Sequence, residues 1–137
     1  MYEIPEAFYG ELQKGNDYTT KKGTIISNED VTEAAIPARM YAYCADTIYD
    51  ETIAKKIKGA DLVYHETTYL KDLEERAAAR FHCTTTQAGN IAKLAGAKKL
   101  LIGHFSSKYE ELDQFLVETK EVFENTEIAH EGACFKI

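Results

Sequence analysis

Four short clusters of polar residues hold the side chains that could do chemistry: Ala45-Asp46-Thr47, His65-Glu66-Thr67, His82-Cys83-Thr84 and Gly103-His104-Phe105-Ser106-Ser107-Lys108-Tyr109. They contain three of the four histidines and two carboxylates. Carboxylate oxygens and imidazole nitrogens are suitable ligands for zinc or another borderline divalent ion. A histidine paired with a carboxylate suits general-acid work. The inventory is that of a metal-assisted hydrolase, and it is too short for a complete metal site.

Each residue also has a plainer reading. Asp46 and His104 each follow a strand, and ligand sites in α/β sheets gather just beyond the carboxyl ends of strands. Taken alone, Asp46 reads more readily as a turn residue than as a ligand, and His104 as a satisfied buried histidine. Glu66 closes a strand, and its partner of interest is His82 rather than the adjacent His65, because neighbouring strand residues point to opposite faces. His65 reads as a histidine packed behind the site. Cys83 beside His82 resembles a nucleophile only by adjacency, which does not supply the geometry. Ser106, Ser107 and Lys108 precede a helix and could hold a phosphate, although a serine there also serves as an ordinary helix cap. Lys14, Lys21 and Lys22 form a sparse basic patch that reads as a solvated face.

The elements that must position these residues alternate short apolar strands with helical patterns, the mark of an α/β layer. Residues 1–38 are rich in Gly, Lys, Thr, Asn and Asp, with apolar pieces at Phe8-Tyr9 and Thr24-Ile25-Ile26. Lys22-Gly23 is a turn signal, so this lead-in reads as hairpin-like and partly irregular. From residue 39 the order is a strand over 40–44, a helix over 51–58 closed by Gly59, a strand over 62–64 and a helix over 70–79. Thr84 and Gln87 have capping-box spacing and open a helix with Ala88, Ile91, Ala92 and Ala95 on one face, stopped by Gly96. A strand over 99–103 precedes an amphipathic helix over 110–123. Residues 126–129 and 133–137 are expected to pair as a terminal hairpin through Glu131-Gly132.

The length of 137 residues suits one domain, and no apolar run approaches the roughly 18 to 20 residues that span a bilayer. Met1-Tyr2-Glu3-Ile4-Pro5 lacks the basic and apolar regions of a signal peptide. Cys44, Cys83 and Cys134 are odd in number and widely spaced, which favours reduced thiols and a cytoplasmic location. The net charge of -7 argues weakly against an affinity module for nucleic acid, since phosphate binding draws on a basic surface.

In combination the clusters resemble ribonuclease Z, the tRNA 3′-processing endonuclease family of the metallo-β-lactamase fold, along nearly the whole chain. Pro5, Gly10, Leu12 and Gly15 look like the segment before the family's second half. Tyr43-Cys44-Ala45-Asp46-Thr47 is similar to its aspartate motif, and His65-Glu66-Thr67-Thr68-Tyr69 to its "HEAT" motif. His82-Cys83-Thr84-Thr85-Thr86-Gln87-Ala88 is similar to its "HST" motif, with Cys83 where serine is usual. Gly103 to Tyr109 is similar to its last histidine motif, with Lys108 where arginine is common. The fold this implies is the C-terminal half of an αββα sandwich, a mixed sheet with helices packed on it, built from the lead-in 1–38 and a core 39–137.

The resemblance implies that Asp46 bridges two zinc ions, that His104 completes the second ion's shell, and that His82, oriented by Glu66, serves the leaving oxygen. It places Thr84, Ser106 and Lys108 at the substrate. The implied reaction is hydrolysis of the phosphodiester after the discriminator region of precursor tRNA, releasing a 3′-hydroxyl. One family element is missing from this sequence: the His-x-His-x-Asp-His run, whose aspartate is the family's water-activating base. The first histidine here is His65. The chain is therefore expected to be the C-terminal half of the enzyme, inactive and weak in zinc binding without its N-terminal half, and to self-associate as a homo-oligomer. The alternatives are a metallo-β-lactamase-fold hydrolase of another substrate and a non-catalytic dimerising fragment.

Overall fold

The computed structural model describes residues 3–137; Met1 and Tyr2 lie outside the described residues. The chain divides into two units, Met1–Ala38 and Arg39–Ile137. In the first, a tight turn over Glu6–Phe8 leads into helix α1 (Tyr9–Gln13), so the Phe8-Tyr9 piece is helical. Strands β1 (Tyr18–Thr19) and β2 (Ile25–Ile26) pair antiparallel. Gly23, at a φ of 82°, takes the left-handed conformation between them, which is the hairpin signalled by Lys22-Gly23. Helix α2 (Asn28–Val31) follows, and Leu12, Tyr18 and Ile26 form the small core of this unit.

The second unit runs β3 (Tyr41–Cys44), α3 (Thr52–Lys56), β4 (Leu62–Glu66), α4 (Glu74–Ala79), α5 (Thr85–Ala95), β5 (Leu100–Gly103), α6 (Asp113–Val122) and β6 (Thr126–Ile128). The strands lie in the order β3-β4-β5-β6. Each connection crosses over through helix, which is what parallel neighbours require, and all three pairings are parallel. Ala42, Val63 and Leu100 share one register row, and Cys44, His65 and Ile102 another. The apolar members of both rows form the main core with Leu70, Ala92 and Phe115. Helix α5 buries Ala88, Ile91, Ala92 and Ala95 as its spacing demands. The Thr84–Gln87 capping box is formed, with Gln87 Oε1 accepting the Thr84 N–H at 3.0 Å. Gly96 closes the helix at a φ of 62°. Gly89 lets α6 approach, for a methyl group there would lie 2.9 Å from Val122 Cβ.

Three expectations need correction. The terminal hairpin does not form, and the four-stranded sheet, expected to be mixed, is parallel throughout. The turn at Gly132 is present, with the Ala133 N–H 3.2 Å from the His130 carbonyl. The segment after it stays exposed apart from Phe135, so no alternating apolar face exists to hold a strand in register. The amphipathic helix also begins later than its periodicity suggests, at Asp113, whose charge suits a helix start.

On the face of the sheet opposite the main core, Tyr43 and Tyr64 stack with ring centres 4.7 Å apart. Tyr64 leans over Gly103, where a Cβ would meet its hydroxyl oxygen at about 2.5 Å. Among the described residues, no helix is long and apolar enough to cross a membrane.

Candidate metal centre

Three of the polar clusters stand at or just beyond the C-terminal ends of adjacent strands, and the fourth follows a helix. Asp46 follows β3, Glu66 ends β4, and His104 follows β5 directly. The turns that aim them are strained. Asp46 (φ 48°) and His104 (φ 59°) both adopt the left-handed conformation, a region that costs a non-glycine residue on the order of 1 kcal/mol. Phe81, immediately before His82, is left-handed as well, at 59°. It holds the position after a helix end where glycine is usual. The Phe81 N–H bonds the Ala78 carbonyl at 3.2 Å and the His82 N–H bonds the Ala77 carbonyl at 2.9 Å. That pair of reverse bonds closes α4 and delivers His82 to the site.

Glu66 ties these turns together. Its carboxylate is fully buried yet surrounded by donors. Oε1 accepts the Thr47 N–H at 2.9 Å and lies 2.9 Å from His82 Nδ1. Oε2 accepts the Thr68 hydroxyl at 2.7 Å, the Cys83 N–H at 3.2 Å and the Thr68 N–H at 3.3 Å. Burial alone would push this carboxyl up. The bonds from Thr68, His82 and Cys83 outweigh it and hold the group below the ordinary glutamate value. A buried charge thus fixes the residue after Asp46, the residue after His82 and, through Thr68, His104.

Ligand atoms of Asp46, His82 and His104 lie within 4.8 Å of one another. His104 Nε2 is 3.2 Å from Asp46 Oδ1. Two ligands on a tetrahedral zinc at about 2.0–2.1 Å stand roughly 3.3 Å apart, so this pair is spaced as an edge of such a site. The Asp46 and His104 side chains are exposed, at 73% and 42%, and His82 is partly so at 23%. The donor chemistry fits a divalent ion held from one side, with positions left over for ligands from elsewhere.

The remaining candidates are placed differently. Thr84 is fully buried, its N–H and hydroxyl engaged with Gln87 and Thr86. Ser106 is half-buried and its N–H bonds the Thr68 carbonyl at 3.1 Å. Lys108 is exposed, its Nζ 4.4 Å from the centre of the Tyr109 ring. Cys83 is fully buried and its thiol donates to the Thr47 carbonyl at 3.1 Å. Burial, Glu66 and Cys44 push that thiol up to about 12, so it is no thiolate nucleophile. His65 is buried with Nδ1 2.8 Å from the Glu66 carbonyl oxygen and Nε2 unpartnered, as a histidine packed behind the site. Two contributors escaped the sequence reading. Thr68 was within sight as a hydroxyl two residues beyond Glu66. Phe81 was not, because phenylalanine does not advertise a left-handed turn. A groove lined by Ile4, Tyr9, Leu12 and Val31 lies in the first unit and holds none of these residues.

No family model matches the chain. It is 45% identical over 131 residues to the ribonuclease Z of Porphyromonas gingivalis, covering 96% of this chain and 43% of that protein. It is 40% identical over 137 residues to the ribonuclease Z of Bacteroides fragilis, covering 100% of this chain and 45% of that protein. Among solved structures, the metallo-β-lactamase fold protein YhfI from Bacillus subtilis superposes with a TM-score of 0.65 at 30% identity, over 70% of this chain and 39% of that one. The chain spans less than half the length of the curated relatives it matches. Along that span the chain is similar to ribonuclease Z, and its second unit is built on part of the metallo-β-lactamase fold.

Proposed function

We propose that the chain is the C-terminal part of a metal-dependent endoribonuclease that removes the 3′ trailer of precursor tRNA, and that it is inactive alone. The observation that carries this reading is the convergence of Asp46, His82 and His104 within 4.8 Å, with Glu66 standing 2.9 Å behind His82. Asp46 and His104 would hold zinc. Zinc, when bound, polarises a phosphate and lowers the pKa of water. Both units would then belong to one metallo-β-lactamase domain.

The residues of this chain serve the leaving group. With its Nδ1–H directed to Glu66 Oε1, His82 turns Nε2 outward. As a water oxygen adds to phosphorus, the P–O bond to the 3′ oxygen breaks. That oxygen takes the proton from His82 Nε2 and departs as a 3′-hydroxyl. The buried Glu66 carboxylate keeps the ring in place throughout. Lys108 and Ser106 would contact the phosphate oxygens, and Thr84 would act through the start of α5. The N-terminal half would supply the other metal ligands, the base and the grip on RNA, which the acidic charge of this chain leaves to others. That half, or a second copy, would cover the sheet face that exposes Tyr41 and Tyr43.

In a protein of the relatives' full length carrying this chain, His82→Ala should lower kcat on precursor tRNA by about 10²–10⁴-fold with little change in KM. A loss under about tenfold would contradict the assignment. Equal turnover of a small phosphodiester and precursor tRNA would point to a different substrate.

A further inference from the structure

We propose that Thr68 is a positioning residue: its hydroxyl relays the Glu66 charge to His104 and sets that imidazole in the Nδ1–H form, with the Nε2 lone pair facing Asp46. Three short contacts meet at Thr68 Oγ1. Glu66 Oε2 lies at 2.7 Å, His104 Nδ1 at 3.0 Å and the His104 carbonyl oxygen at 3.1 Å. A threonine hydroxyl has one proton to give, so only one of the three can receive it. The shortest contact is to a buried, ionised carboxylate, and hydrogen bonds to charged acceptors are the strong ones. The proton therefore goes to Glu66. His104 Nδ1 is then the donor to Oγ1, which puts a proton into that 3.0 Å contact.

The opposite arrangement fails on magnitude. If Thr68 gave its proton to His104 Nδ1, Nε2–H would face Asp46 Oδ1 at 3.2 Å. Glu66 Oε2 and Thr68 Oγ1 would then stand 2.7 Å apart, with no proton between them, inside the protein. Pressing a second oxygen lone pair against a buried charge at its shortest contact costs more than a strained contact beside an exposed carboxylate, and Asp46 is 73% exposed. Glu66 consequently governs both histidines at once. It holds His82 directly through Oε1 and His104 through Thr68, and in the neutral form both rings carry their proton on Nδ1. The consequence for a metal rests on the function proposed above, since support of this kind fixes the tautomer that a ligand presents. The tautomer itself does not depend on that function.

Long-range proton–nitrogen spectra of the metal-free, ¹⁵N-labelled full chain at a pH of about 8.5, two units above the ordinary imidazole value, read the tautomer of each histidine. A His104→Asn variant assigns the His104 signals. The wild type should show His104 as Nδ1–H. Thr68→Val should shift its tautomer ratio toward Nε2–H by about tenfold or more, while His82 stays Nδ1–H and Thr68→Ser restores the wild-type ratio. An Nε2–H form of His104 in the wild type would overturn the proposal whatever the variants do. So would an unchanged ratio in a folded Thr68→Val protein. The chain is read without metal, so failure here is distinguishable from failure of the metal reading, which a zinc titration tests.

Discussion

Glu66 and His65 are neighbours on one strand, and both are fully buried, yet they meet opposite environments. Glu66 is charged because five donors surround it. Among the described residues His65 has a single partner, at Nδ1, and burial pushes its pKa below the ordinary value. A folded-state value below the unfolded one means that the unfolded chain binds the proton more readily. The contribution of His65 to stability is then complete above the unfolded value of about 6.5 and drains away as pH falls toward the folded value. Comparing wild type with His65→Phe cancels the other titrations. The stability of the wild type relative to the variant should fall by about 1 kcal/mol between pH of about 7.5 and about 5.5. Urea unfolding at the two pH values measures it, and a difference independent of pH would mean His65 ionises as freely inside as outside.

At the scale of elements, parallel strands set the clusters side by side and helix ends aim them. Helix α5 matters most, since it opens beside His82 and packs on both the sheet and α6. Gly89→Ala should destabilise the chain by about 1–3 kcal/mol in urea unfolding, because a methyl group cannot share space with Val122 Cβ without parting the helices. A neutral or stabilising result, as helix propensity alone would give, would show that α6 yields freely. Most of this arrangement was legible beforehand. The runs ending at Cys44, Tyr64 and Gly103 read as strands, and Asp46, His82 and His104 do gather. The capping box at Thr84 and the stop at Gly96 carried local chemical signals. What escaped depended on contacts between distant residues or on backbone conformations without a residue signature. Gly132 promised a hairpin that the exposed tail could not stabilise. Phe81 occupies a glycine's conformation, and the hydroxyl of Thr68 acquires its role only when β4 and β5 lie together.

At the scale of the whole molecule, one wall of a site stands on a chain that spans less than half of its relatives. Asp46 and His104 offer two ligand atoms 3.2 Å apart, and a zinc site takes about four, so this chain alone should hold the ion weakly. Calorimetric titration of zinc into the pure 137-residue chain, beside its Asp46→Asn and His104→Ala variants, tests it most directly. The expected result is weak binding, with Kd on the order of micromolar or above, that either substitution abolishes. Tight stoichiometric zinc in the wild type, or weak binding indifferent to Asp46 and His104, would contradict it.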